Sequence, residues 1–138
     1  MNRLERTCAD PSYSYRIRNG GFVITSDWPI LLEEGWVTVP KGFACDLASV
    51  PRPFRVLPGF EPYELGCGSI LHDWSYRNGG YVSPEIQLTR RRTDQVFLRL
   101  MKADGVGWQA GVAFWAVRLF GFLAWRRLTR SPFTLHAV

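Results

Sequence analysis

The first third of the chain has short strand-like patterns of apolar and polar residues. Apolar and polar residues alternate from Tyr13 to Ile17. The turn-forming run Asn19-Gly20-Gly21 and the apolar segment from Phe22 to Thr25 follow. Alternating residues on either side of a glycine-rich turn are typical of a β-hairpin. The pattern therefore predicts an antiparallel hairpin here and a further strand from Gly35 to Val39.

The middle of the chain loses this periodicity. The stretch from Pro40 to Pro58 is rich in proline and glycine, and Pro51 and Pro53 lack the backbone N–H that a helix interior or a strand ladder needs. We expect this stretch to be a largely irregular layer of loops.

Three longer segments repeat apolar residues with helical spacing. They run from about Glu64 to Arg77, from Thr89 to Ala103 and from Val106 to Leu128. Gly79-Gly80 ends the first segment and Asp104-Gly105 separates the other two, as glycine commonly does at helix C-termini. The sequence predicts an α+β fold, in which a small antiparallel β-hairpin or sheet and the irregular loops pack on about three C-terminal helices.

The length of 138 residues and an apolar fraction of 46% suit one domain with its own core. We predict a single domain, 1–138, with strands and loops in 1–63, the helical part in 64–130 and a tail in 131–138. The spacing of Cys8, Cys45 and Cys67 favours neither a disulfide framework nor a zinc knuckle, and it fits a reducing compartment. The N-terminus lacks the apolar run of a signal peptide, so no export by that route is expected.

Positive charge is concentrated in the C-terminal part of the chain. Residues 1–80 have a net charge of −1, whereas residues 81–138 have a net charge of +6. Such asymmetry favours an anionic partner, which could be phospholipid headgroups, nucleic acid or an acidic protein face. A solvated basic surface explains it equally well.

The third predicted helix is rich in aromatic residues. Gln109 and Arg118 interrupt its apolar run, so a buried or partly exposed helix is favoured over a transmembrane span. Packing of this helix in the core is the preferred interpretation. The alternative is a helix that lies in a bilayer interface, with tryptophans at headgroup depth and arginines on phosphates. That membrane or partner surface would consist of Trp108, Trp115, Trp125, Arg126, Arg127 and Arg130.

Candidate chemistry is concentrated in the first predicted helix. His72 and Tyr76 lie about 40° apart on one helical face, and Asp73 points about 100° to the side. Histidine is suited to general base catalysis, and a carboxylate such as that of Asp73 binds hard cations. Taken alone, however, a His-Asp pair is more often a core histidine beside a surface carboxylate.

Asp94 strengthens the case for a site. It occupies the same stripe of the second predicted helix as Phe97, Leu98 and Met101, which should face the core. A buried carboxylate needs hydrogen-bond donors, and His72 and Tyr76 of the preceding helix are the candidates. Such a carboxylate would fix the tautomer of His72 and stabilise its protonated form. A purely structural His-Tyr-Asp cluster is the alternative.

These residues show a resemblance. The pattern His-Asp-x-x-Tyr at 72–76, followed by a core-facing Asp94, resembles the active site of calcium-dependent phospholipase A2 enzymes. The separation of 21 residues between Asp73 and Asp94, with the run Thr93 to Phe97, is especially similar to the phospholipase domain of parvovirus minor capsid proteins. The resemblance covers about Gly59 to Met101, and it makes the first two predicted helices similar to the phospholipase helix pair.

The chain also resembles a family of uncharacterised small phage and bacterial proteins. This second resemblance runs from Val39 to Phe43, from Asp46 to Pro51 and through Leu71 to Asp73, and on to the helix that contains Asp94. It implies no established activity.

The phospholipase resemblance implies a role for each matching residue. His72 would be the base that activates water, with Asp94 and Tyr76 as the pair that orients it. Asp73 would be a ligand of calcium (Ca²⁺), which polarises the ester carbonyl and stabilises the developing oxyanion.

The remaining calcium ligands are implied less directly. The backbone of Gly59 or Gly66 would take the place of the calcium-binding loop of those enzymes. Asp46 is a further candidate ligand, although an Asx-turn or a helix cap explains this residue as well.

The sequence thus supports two functional hypotheses. The first is a phage-type, phospholipase A2-like hydrolase that acts on phospholipid esters at a membrane surface, in the bacterial cytoplasm or in a phage particle. The second is a non-enzymatic virion or tail-associated protein that kept the scaffold and binds other virion proteins. Nucleic-acid binding is a weaker third interpretation, and the oligomeric state stays open.

Overall fold

The computed structural model describes residues 15–18, 21–45, 52–55, 57–58, 60 and 65–129. Strands β1 (Tyr15–Arg18) and β2 (Gly21–Ile24) form the antiparallel hairpin that the sequence predicts, with Tyr15 opposite Ile24. The short strand β5 (Ala44–Cys45) pairs with β2 and completes a three-stranded sheet in the order β1-β2-β5.

A second hairpin joins β3 (Trp28–Leu32) to β4 (Gly35–Val39). The predicted strand from Gly35 to Val39 is confirmed, whereas β3 was not predicted, because Pro29 breaks its pattern. Proline is tolerated where its missing N–H is not needed for pairing, as on the edge of a two-stranded sheet. Trp28, Ile30 and Leu32 alternate inward and are buried, as are Val37 and Val39 opposite them.

The described part of the proline-rich stretch contains two short regular elements. Besides β5 it contains the one-turn helix α1 (Arg52–Arg55), in which Pro53 stands in the first turn, where proline does no harm to a helix. A small hairpin, β6 (Tyr81–Ser83) and β7 (Ile86–Gln87), was also not predicted.

Three longer helices form the C-terminal half, as the sequence predicts. They are α2 (Gly68–Arg77), α3 (Arg90–Ala103) and α4 (Gln109–Thr129). The side chain of Thr89 caps α3 by accepting a hydrogen bond from the backbone N–H of Arg92. The turns after α2 and α3 contain Gly79, Gly80 and Gly105, all with positive φ. The protein is therefore an α+β fold with its helices in the C-terminal half.

The core has two apolar clusters. In one of them Ile70, Leu71 and Trp74 of α2 pack against the strands, and the indole N–H of Trp74 donates to the carbonyl of Val82 over 2.9 Å. The other cluster joins α3 to α4 and comprises Phe60, Leu65, Phe97, Met101, Ala110, Ala113 and Val117. Helices α2, α3 and α4 contact one another, and these contacts position His72, Tyr76 and Asp94.

Two further expectations can be compared with the structure. Cys67 is disulfide-bonded, whereas the spacing of the cysteines did not indicate a disulfide framework. Among the described residues no helix combines the length and the apolar character needed to cross a bilayer.

Candidate functional site

His72 and Asp94 form the centre of the candidate site. His72 lies in the middle of α2 and Asp94 in the first half of α3, and the side chains of both have 0% exposure. His72 Nε2 lies 2.9 Å from Asp94 Oδ1. Both helices direct these side chains inward because the neighbouring turns, with Leu71 and Phe97, are themselves buried.

Tyr76 makes the second contact that the sequence predicts. Its hydroxyl donates to the same oxygen of Asp94, Oδ1, over 2.7 Å. Burial, and then the charge and the hydrogen bond of Asp94, raise the pKa of Tyr76 far above its usual value. The hydroxyl therefore keeps its proton and acts as a donor to the carboxylate.

Two arginines occupy the other oxygen of Asp94. Arg118 of α4 donates to Oδ2 over 2.7 Å, and Arg90 lies 3.5 Å from the same atom. Burial by itself would raise the pKa of Asp94, but hydrogen bonds from His72, Tyr76 and Arg118 outweigh burial and lower that pKa. Asp94 is thus an ionised carboxylate in the interior, with donors on both oxygens.

The charge of Asp94 determines the tautomer of His72. A carboxylate can only accept hydrogen bonds, so the proton in the 2.9 Å contact belongs to His72 Nε2. The neutral tautomer that fits this contact therefore has its lone pair on Nδ1.

Aromatic contacts fix the plane of the His72 ring. Tyr76 stacks on it with centroids 4.2 Å apart and planes 30° apart, and Phe97 lies 4.4 Å from it on α3. Trp125 packs edge-on against Tyr76 at 5.0 Å. These aromatic contacts and the contact with Asp94 therefore fix the orientation of the ring.

Helix α4 forms a wall of this cluster. Arg90 donates to the carbonyl of Val117 over 2.9 Å, so it links α3 to α4 beside Asp94. Gly121 faces Tyr76 so closely that a Cβ atom at this position would lie 2.7 Å from the tyrosine hydroxyl. A residue without a side chain is therefore needed for α4 to approach the site.

The described residues offer calcium an incomplete set of ligands. Asp73 is buried on α2 and has its own partner. Gly66 has a positive φ, and its carbonyl accepts a hydrogen bond from the backbone of Ser69. Asp46 and Gly59 lie outside the described residues. Calcium takes six to eight oxygen ligands, and no cluster of three or more metal-binding side chains is present in the described ranges.

The predicted membrane or partner surface is only partly on the outside. Trp108 and Trp115 are 59% and 61% exposed, and Arg126 is exposed too. Trp125 instead turns towards Tyr76. The side chain of Arg127 and the whole of Arg130 lie outside the described part of the molecule.

Sequence reasoning missed the two arginines on Asp94 and the glycine beside Tyr76. Arg118 was noted only as an interruption of an apolar helix, yet a charge in such a position needs a partner, and Asp94 was the buried carboxylate in need of donors. Arg90 precedes Asp94 by four residues, which is the spacing of helical ion pairs. Both arginines could therefore have been found from the sequence, whereas Gly121 could not.

Comparison with known proteins gives one family. A family described as a protein of unknown function, DUF1353, matches residues 22–117, which include β3 to α3 and the first part of α4. No curated protein and no solved structure matches the chain. Because the matched region spans well over half of the sequence, this chain belongs to the DUF1353 family.

Proposed function

We propose that this protein is a phospholipase A2-like ester hydrolase that acts on phospholipid. The observation behind the proposal is the contact of His72 Nε2 with Asp94 Oδ1, joined on the same oxygen by the hydroxyl of Tyr76. A histidine oriented by a buried carboxylate is suited to act as a general base. The resemblance to phospholipase A2 enzymes adds the substrate class.

The proposed reaction needs a proton acceptor, and the imidazolium that forms on this acceptor must be stabilised. His72 Nδ1 takes a proton from water while the water oxygen attacks the ester carbonyl, and the imidazolium then gives this proton to the departing alkoxide. Asp94 remains ionised and stabilises the imidazolium through Nε2–H. Tyr76 and Arg118 hold the two oxygens of Asp94 in place, and they do not take part in proton transfer.

Calcium is proposed as the cofactor on the strength of the resemblance. When bound, it would supply positive charge at the ester carbonyl. Asp73 would be one ligand, and the described residues do not complete a coordination sphere around it. Chelation and metal addition test the dependence on calcium.

Fatty-acid release from mixed phosphatidylcholine–phosphatidylglycerol vesicles tests the proposal. We expect wild-type protein to release fatty acid, and His72→Ala to lower the rate at least about 100-fold, as loss of a general base does. His136→Ala is the matched control because the chain has only these two histidines, and it should keep the wild-type rate. Calcium should support the reaction and a chelator should stop it.

Equal rates for wild type and His72→Ala, or no release with any divalent cation, would refute the catalytic proposal. Circular dichroism of each variant must accompany the rates, because His72 has 0% exposure and its replacement leaves a cavity beside Phe97. His72→Gln, which fills more of that space, gives a second measurement of the same loss.

A second function is favoured by the burial of the cluster. The complete burial of the side chains of His72 and Asp94 means that water and substrate reach His72 only if neighbouring residues move. A non-enzymatic virion or tail-associated protein would need the cluster only for stability. In that case the protein stays with purified particles, His72→Ala leaves its incorporation unchanged, and no phospholipid is hydrolysed.

A further inference from the structure

Helix α4 has mainly small apolar side chains on its inner face and large apolar side chains on its outer face. The face towards α2 and α3 consists mainly of small residues, namely Ala110, Ala113, Ala116, Val117, Gly121 and Ala124, all of them buried. Most of the large apolar residues of the same helix are on its outside, whereas Trp125 turns towards Tyr76. A helix that served only to fill the core would place its large side chains inward.

The outer residues form one stripe, which we call the outer face of α4. Trp115, Leu119, Phe122 and Leu123 are 61%, 59%, 44% and 61% exposed. Their spacing of four, three and one residues keeps them within about 100° of one another around the helix. A contiguous exposed apolar stripe of this kind marks an interaction surface.

Charge indicates what binds there. From Gly105 to Val138 the sequence contains no Asp or Glu, and it contains Arg118, Arg126, Arg127 and Arg130. Arg118 turns inward to Asp94, whereas Arg126 is exposed and falls within the angular range of the stripe, one turn beyond Phe122. The outer face of α4 therefore combines exposed Trp, Phe and Leu side chains with positive charge, and it has no negative charge of its own.

We propose that the outer face of α4 docks on an anionic phospholipid surface, with the helix lying in the plane of the headgroups. Aromatic and leucine side chains enter the boundary of the acyl chains, and arginines bind phosphates, as in interfacial amphipathic helices. The helix does not cross the bilayer, in keeping with its limited apolar character among the described residues. A second copy of the chain fits less well, because a symmetric pairing of this face would bring no carboxylate of α4 to Arg126.

Docking would place the candidate site directly behind the membrane-bound helix. The inner face of α4 holds Asp94 through Arg118 and lies against Tyr76 at Gly121. One helix diameter, about 10 Å, therefore separates the bilayer from the His72 cluster. This link to hydrolysis rests on the proposed function, whereas the docking itself does not.

Vesicle cosedimentation tests the docking. Wild-type protein should bind phosphatidylcholine–phosphatidylglycerol vesicles more strongly than phosphatidylcholine vesicles, and added salt should weaken the binding. Replacing both Trp115 and Leu123 by Ser should lower the affinity at least about tenfold, since two exposed apolar side chains lose their transfer into lipid. Trp36→Ser is the matched control: Trp36 is 64% exposed on β4, outside the proposed surface, and its variant should bind like wild type.

Arg126→Glu gives a second, independent measurement. We expect it to weaken binding to the anionic vesicles and to leave the weaker binding to neutral vesicles unchanged. Equal binding of wild type and the Trp115/Leu123 double variant would overturn the proposal. So would a wild-type dimer, seen by sedimentation, that the double variant converts to monomer.

The His72→Ala variant separates this inference from the proposed hydrolysis. If it binds vesicles like wild type but no protein releases fatty acid, the docking stands and the hydrolase proposal fails. The opposite outcome is also distinguishable. If the Trp115/Leu123 double variant binds vesicles as tightly as wild type, and hydrolyses both vesicles and short-chain monomeric phospholipid at wild-type rates, the docking fails and the hydrolase proposal stands.

Discussion

Arg118 donates to Asp94 Oδ2 over 2.7 Å and thereby joins the last long helix to the carboxylate that binds His72. The contact is mostly buried, with Arg118 24% exposed and Asp94 0% exposed. It explains how an ionised carboxylate is kept in the interior, since one oxygen of Asp94 accepts from His72 and Tyr76 and the other oxygen accepts from the positively charged Arg118.

Arg118→Met should destabilise the protein by about 1.5–3 kcal/mol, because it removes a charged hydrogen bond from a buried carboxylate and keeps most of the side-chain volume. Arg90, 3.5 Å from the same oxygen, limits the loss. Urea unfolding measures it. Arg126→Met, at an exposed position of the same helix, should change the free energy of unfolding by less than about 0.5 kcal/mol. A similar loss in both variants would contradict the role of Arg118.

Gly121→Ala should destabilise the protein, although alanine favours a helix over glycine by about 1 kcal/mol. The added Cβ would lie 2.7 Å from the hydroxyl of Tyr76, which its hydrogen bond to Asp94 holds in place. Gly111→Ala on the same helix is the control, because no atom lies within 4 Å of its added Cβ. That variant should be stabilised by up to about 1 kcal/mol. Thermal unfolding of both variants checks the opposite signs.

Tyr76→Phe should cost about 1.5–3 kcal/mol, since Oδ1 of Asp94 loses a donor in a site that water does not reach. Tyr81→Phe is a matched change at a tyrosine that is 43% exposed, and it should be nearly neutral. Denaturant titration compares the two. If hydrolysis is found, Tyr76→Phe should slow it less than His72→Ala does, because Tyr76 acts only by holding Asp94.

The pH dependence of stability should have opposite signs for the buried carboxylate of Asp94 and the half-buried carboxylate of Asp104. The folded-state pKa of Asp94 is lowered, so its ionisation stabilises the fold above the usual pKa of Asp, and this stability is lost as the pH falls through the folded value. Burial raises the pKa of Asp104, and the hydrogen bond from the Cys67 N–H offsets this only in part. Asp104 therefore contributes stability at low pH that is lost as the pH rises through its raised value.

Unfolding measured from pH 3 to pH 7 in Asp94→Asn and Asp104→Asn checks these signs. Asp94→Asn should lose most stability near neutral pH and little at the acid end. Asp104→Asn should lose little at neutral pH, because the amide oxygen can still accept from Cys67 and no charge is buried. Parallel curves for the two variants would contradict this assignment.

The sequence by itself determined the β1–β2 hairpin, strand β4, the three long helices and the burial of Asp94 with His72 and Tyr76 as partners. These features are local: they depend on periods of two or of about 3.6 residues, on glycine at turns, and on the cost of an unpaired charge in an apolar stripe. Strand β3 was not predicted because Pro29 interrupts its local pattern. In the fold, its pairing with β4 stabilises the strand despite this proline.

Only the tertiary structure decided how α4 is used. The sequence shows an aromatic helix with arginines, but which side faces inward depends on the shape of the surface made by α2 and α3. That surface admits Ala113 and Gly121, takes Arg118 to Asp94 and turns Trp125 to Tyr76, and it leaves Trp115 and Leu123 outside. The physical reason is that contacts between distant segments are set by packing and charge pairing, which no local period specifies.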